Sequence, residues 1–155
     1  MTQKRSKQRS QAVAVFADCQ NVGSLFKHRQ AVLTFVEQFG TVSFLWAYDH
    51  WRKMKPKREL QLQSDGWQTI DVPTQDKNAL DDQLMRDCRR LGGHPFIEVV
   101  VLISGDQDFE SLARWLISQK KRVIVIGRRN HVHRKLKALA LDGIYAIEDL
   151  PGVVS

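Results

Sequence analysis

The chain has 155 residues, 43% of them hydrophobic, with 24 Lys and Arg against 17 Asp and Glu, a net charge of +7 and a pI near 9.7. That length suits one domain whose core needs no covalent staple, and no apolar run approaches the roughly 20 residues of a membrane span or forms a leader after the basic start. A membrane or exported protein is therefore not expected, and the basic balance favours a polyanionic partner such as nucleic acid.

Residues 1–11 are polar and basic, with Lys4, Arg5, Lys7 and Arg9, and are expected to form a disordered arm. The folded domain is expected over 12–150, with a short tail at 151–155. Residues 12–17 are continuously apolar, as in a strand buried on both faces. Ser24 is expected to cap a helix reaching about residue 38, with Leu25, Val32, Leu33, Val36 and Phe39 inward and Gly40 ending it. A second strand is expected over 42–48. The basic stretch WRKMKPKREL then leads into a short helix stopping near Gly66, and 67–72 forms a third strand. After a loop at 73–76, a helix over about 78–91 carries Leu80, Leu84, Cys88 and Leu91 on one stripe and closes at Gly92-Gly93. The run 96–103 is the most apolar strand. A helix with Phe109, Leu112, Ala113, Leu116 and Ile117 inward follows, then a strand at 123–127, a basic helix at 131–141 and a last strand at 144–147. Strands alternating with helices predict a three-layer α/β/α sandwich around a mostly parallel sheet.

In such sheets ligands bind beyond the carboxyl ends of the strands, and aspartates recur there. Asp18 follows the first strand and Asn21 lies three residues on. Ser104-Gly105-Asp106-Gln107-Asp108 follows the fourth. Asp81 lies in the first turn of the helix after the third strand, and Asp87 stands six residues farther along. Carboxylates converging on one edge repel one another and would protonate, unless a hard divalent cation is held among their oxygens. Such an ion activates water and stabilises charge on a phosphate. Other roles stay open for two of them: Asp106 as a helix N-cap, and Asp81 as a charge favoured at a helix N-terminus. Cys19 and Cys88 lack CxxC or zinc-site spacing. They are expected as small buried hydrophobes in a reducing compartment, which suggests a cytoplasmic, intracellular location.

FADCQNV, AYDHW, KNALDDQLMRD and SGDQDFESLARWL, in that order, resemble the signature segments of the NYN domain family within the PIN-like nuclease superfamily. The resemblance runs from about residue 12 to 150. It implies a PIN-like, Rossmannoid α/β/α fold and a ribonuclease activity, of the endonuclease kind, dependent on Mg²⁺ or Mn²⁺. It also implies Asp18, Asp81, Asp106 and Asp108 as metal ligands and catalytic residues, with Asn21, Asp87 and Ser104 in support and Asp82 facing solvent. The implied partner is RNA with accessible single strands, and a homo-oligomer is possible. A non-catalytic RNA-binding or protein-interaction module on the same fold is the alternative.

Basic residues after the second strand (Arg52, Lys53, Lys55, Lys57, Arg58), Lys77, and residues after the fifth strand (Arg128, Arg129, Arg134, Lys135) are expected to contact phosphates. Trp51 could stack a base, although a core position suits it better. His131 and His133 are expected as loop histidines without a catalytic role. A Toprim site would want a glutamate where Asp18 stands, a haloacid-dehalogenase phosphatase would want Asp-x-Asp at the first strand, and a dinucleotide fold would want a glycine fingerprint where Gly23 stands alone.

Overall fold

The computed structural model describes residues 11–73, 76 and 78–153. Six strands form one sheet: β1 (Ala12–Asp18), β2 (Thr41–Asp49), β3 (Gln68–Asp71), β4 (Ile97–Ile103), β5 (Arg122–Gly127) and β6 (Gly143–Ala146). All pair in parallel, in the order β3-β2-β1-β4-β5-β6. The helices between them are α1 (Arg29–Val36), α2 (Pro56–Ser64), α3 (Ala79–Asp87), α4 (Glu110–Ser118) and α5 (Arg134–Lys137).

Alternation along β1 explains the layering. Val13, Val15 and Ala17 point to one face, where Val32, Phe35 and Val36 of α1 and Leu62 of α2 cover them. Ala14 and Phe16 point to the other, under Leu80 and Leu84 of α3, Leu112, Ala113 and Leu116 of α4 and Leu136 of α5. Both faces of the central strands are dry, which is why they read as unbroken apolar runs rather than alternating ones. Full burial of a side chain the size of Phe16 contributes about 3 kcal/mol.

Three expected helices differ from the structure. The one expected over about 78–91 is α-helical from Ala79 to Asp87 and closes in a π-helical turn at Cys88–Gly92. The one expected over 24–38 begins as a 3₁₀ turn at Gly23–Leu25, becomes regular only at Arg29, and ends in another 3₁₀ turn at Glu37–Phe39. Ser24 is not its cap. Leu25 and Phe26 both pack on the first core cluster from the 3₁₀ turn and the residue after it. The Phe26 carbonyl instead accepts from the Arg29 guanidinium at 2.9 Å. The basic helix expected over 131–141 is one turn, Arg134–Lys137. Beyond it Leu139 and Leu141 pack on the second cluster from outside any helix, with the Leu141 N–H on the Leu139 carbonyl at 2.9 Å.

The strand order reverses at the centre. From β1 the chain moves outward to β2, and from β4 it moves the other way to β5. The carboxyl ends of β1 and β4 therefore flank a crevice that no crossover closes.

Candidate metal centre

Asp106 and Asp108 reach the crevice through a tightly bonded loop. Ser104, buried at the end of β4, accepts from the Asp106 N–H at 3.2 Å. Asp106 Oδ1 in turn accepts from the Asp108 N–H at 3.0 Å, capping the 3₁₀ turn Gln107–Phe109. Capping thus does occur, and it leaves the rest of the carboxylate available. Phe109, fully buried, anchors the turn. Asp81 sits in the first turn of α3, the end that faces this loop. One carboxylate oxygen from each of Asp81, Asp106 and Asp108 lies within 4.8 Å of the others.

Asp18 stands beside this group. It is 3% exposed, and its Oδ1 accepts from the backbone N–H groups of Gln20 and Asn21, each at 3.1 Å. The sequence left it nothing to cap, but it caps the turn that leaves β1. Burial raises its pKa to about 6, against the lowering effect of those N–H groups, with Asp106 and Asp49 adding repulsion. Asp81 is pushed to about 7, first by desolvation and then by Asp18, Asp106 and Asp108. The helix N-terminus favours an ionised Asp81, but desolvation and three like charges outweigh it.

Asn21 Oδ1 accepts from the Gly105 N–H at 2.9 Å and so ties the loop after β1 to the loop after β4. Asp87 does not join the group. It lies about 9 Å along the helix from Asp81, buried, where it accepts from Tyr48 Oη at 2.8 Å and from Gln83 Nε2. Its support consists of holding α3 to β2. Asp82 is exposed.

The donor set consists of hard carboxylate oxygens, partly desolvated and mutually repelling. That chemistry fits Mg²⁺ or Mn²⁺ and does not fit a thiophilic ion.

The NYN domain model matches residues 12–147. The chain belongs to the NYN domain family. The family has a PIN-like nuclease fold, and the acidic cluster of this NYN domain occupies its carboxyl edge. A crystal structure of a protein of unknown function from Vibrio parahaemolyticus shares the fold, with a TM-score of 0.76 and 22% identity over 91% of this chain and 95% of that one. S. aureus homoserine dehydrogenase aligns over 88% of this chain and 32% of its own at a TM-score of 0.37 and 11% identity, too low to support any argument. No curated protein matches the sequence.

The NYN domain carries a further carboxylate at this edge that sequence reasoning passed over. Asp49 ends β2 one step beyond Tyr48, the register partner of Asp18. It is half-buried, and desolvation raises its pKa. Its position directly after the apolar run 42–48 was the available clue, the same one that exposed Asp18.

The expected phosphate-binding residues divide by what already holds them. Arg52 is ion-paired with the buried Glu59 at 2.5 Å, Arg129 is ion-paired with Asp149, and Arg58 lies over the Phe26 ring at 5.0 Å. Lys53, Lys55, Lys57, Arg134 and Lys135 are exposed, with no ion pair among the described residues. Lys77 lies outside the described residues. Trp51 is 3% exposed and donates to the Ala47 carbonyl at 3.1 Å, so it belongs to the core and offers no stacking face. Cys88 is buried as expected, whereas Cys19 is only partly so; both are free thiols whose pKa values desolvation raises, which keeps them protonated at neutral pH. No helix among the described residues is long and apolar enough to cross a membrane.

Proposed function

We propose that this NYN domain is a metal-dependent ribonuclease, acting as an endonuclease on single-stranded or partly single-stranded RNA, with Asp18, Asp81, Asp106 and Asp108 as its metal-binding and catalytic carboxylates and Mg²⁺ or Mn²⁺ as its cofactor. The observation that carries this reading is the convergence of Asp81, Asp106 and Asp108 to within 4.8 Å at the switch point of the sheet, beside buried Asp18.

A divalent ion bound here would supply Lewis-acid stabilisation of charge on the scissile phosphate and a water of lowered pKa. The chain's own residues prepare for that. Ser104, Asn21 and the Asp106–Asp108 turn hold the loop so that little reorganisation is needed on binding. Asp18 and Asp81 are both held above the ordinary carboxylate range, a repulsion that arriving positive charge would relieve. Basic side chains follow β2 and β5, the strands on either side of the β1–β4 pair. Three strand spacings separate them, about 14 Å. An RNA strand laid across the carboxyl edge would meet cations on both sides of the carboxylates.

The deciding experiment incubates purified protein with end-labelled RNA and Mn²⁺ or Mg²⁺, with and without EDTA. Internal cleavage that EDTA abolishes is expected. RNA binding without cleavage at saturating Mn²⁺ would instead make the domain a non-catalytic RNA-binding module.

A further inference from the structure

Next to the carboxylates lies an open cavity of about 380 Å³ whose walls include Asn21, Gly105, Asp106, Arg128, His131 and His133. We propose that it is a phosphodiester subsite, with the Arg128 guanidinium as its principal donor, which takes the RNA phosphate flanking the one at the carboxylate cluster. This rests on the ribonuclease reading.

Arg128 points to an absent anion. Its Nε is buried and has no hydrogen-bond partner among the described residues, a condition shared there only with the Trp67 indole nitrogen. A buried N–H without an acceptor is costly, and natural folds rarely leave one so. The neighbouring Arg129 is neutralised by Asp149, but no carboxylate pairs with Arg128 among the described residues. A guanidinium fork matches two oxygens of a phosphate.

The cavity is also built. A Cβ on Gly105 would lie 2.0 Å from the His131 carbonyl oxygen, so only glycine lets the loop after β4 approach the loop after β5 this closely. His133 N–H donates to the Gly105 carbonyl at 2.9 Å, and Asn21 takes the Gly105 N–H. The turn at 128–131 is closed by the His131 N–H on the Arg128 carbonyl, with Asn130 in the left-handed region at φ 64°. His133 Nδ1 accepts from the Lys135 N–H, which leaves Nε2 as the protonated nitrogen of the neutral ring. The one acid on the wall is Asp106, itself a member of the cluster, so an anion on Arg128 would share a wall with the cluster. The walls named offer no Trp, Tyr or Phe for a base to stack on, which suits backbone rather than base recognition.

The test measures binding in EDTA, where cleavage plays no part. The probe is a ten-nucleotide single-stranded RNA with hydroxyls at both ends, compared with the same RNA bearing a terminal phosphate. Arg128→Gln and Arg128→Lys should each weaken binding about tenfold or more, because lysine keeps the charge but loses the Nε donor and the fork. Arg122→Gln, at the amino edge of the sheet, should change it less than about threefold, as expected for one screened surface charge. Titration with the RNA should shift the amide resonances of Gly105 and His131. Parent-like affinity in folded Arg128→Lys would overturn the proposal. So would a large gain from the terminal phosphate, which would mark a monoester pocket. If Arg128→Gln does not fold, the lysine variant and the amide shifts decide. Intact cleavage with no effect at Arg128 removes only the subsite, whereas binding at Arg128 without cleavage in Mn²⁺ removes only the catalytic reading.

Discussion

At the end of β1 the Asp18 carboxylate accepts two backbone N–H groups and is almost fully buried, and burial lifts its pKa to about 6. Asp18→Asn keeps the acceptor oxygen and removes the charge. It should abolish cleavage without loss of fold. At pH 7.5 without metal it should also raise stability, by up to about 3 kcal/mol, the linkage value for a carboxylate moved from 3.8 to about 6. The pH dependence has a definite sign. Asp18 and Asp81 titrate at about 6 and about 7 in the folded protein and near 3.8 unfolded. Their stabilising contribution is complete below pH 3.8 and is lost as pH rises through 6 and 7. Thermal melts of metal-free protein should show that decline, less steeply in Asp18→Asn, and Mg²⁺ should raise the melting temperature more at pH 7.5 than at pH 5.5. Asp108, exposed at the rim, allows chemistry to be separated from binding. Asp108→Asn should lose cleavage yet bind RNA in metal-free buffer as well as the parent or better, because it removes one repelling charge. Unchanged turnover at saturating Mn²⁺ would remove Asp108 from the site.

The elements differ in how they position these side chains. α3 is held to the sheet by the buried bond from Tyr48 to Asp87. Tyr48→Phe leaves that carboxylate with weaker partners and should cost about 1–3 kcal/mol, measurable by urea unfolding, with a smaller effect on turnover. The loop after β4 is less forgiving, because Gly105→Ala places a methyl against the His131 carbonyl. It should lower both stability and cleavage by displacing Asp106. The strands were legible in the sequence because double burial leaves an unbroken apolar run, and Asp18 and Asp106 stood out at their ends. The break in the helix near Phe26 and the single turn of α5 were not legible, since contacts with distant strands, rather than local periodicity, decide where a helix stays regular. Asp49 was less legible, because Arg52, Lys53 and Lys55 follow close behind and mark the segment as a basic surface. Asp18 as a turn cap, and the partners that occupy Arg52 and Arg129, needed coordinates. Ion pairs across 7 and 20 residues leave no periodic trace.

For the molecule as a whole, strand order turns a list of motifs into a surface. Nothing in the sequence placed β1 beside β4, yet that adjacency sets the carboxylates at the centre of the edge and the basic segments after β2 and β5 on its flanks. If both flanks hold RNA, binding should weaken with salt at about −0.7 in log–log slope per phosphate neutralised on a single strand. Replacing Lys53, Lys55 and Lys57 with glutamine should flatten the slope, and replacing Arg134 and Lys135 should do so separately. An affinity indifferent to salt would assign the basic surface another purpose.

The same strand order has a consequence for how the protein comes into being. Every neighbour in the sheet is parallel, so each pairing closes over a long crossover and no hairpin can nucleate it. Asp18 is made before its companions Asp106 and Asp108, which follow about ninety residues later, and the turn at 128–131 that braces Gly105 comes later still. A nascent chain therefore carries its carboxylates as scattered, ordinary acids. They become a repelling, metal-hungry cluster only when β4 inserts beside β1 and the segment after β5 docks. No partial product of translation therefore holds the assembled centre.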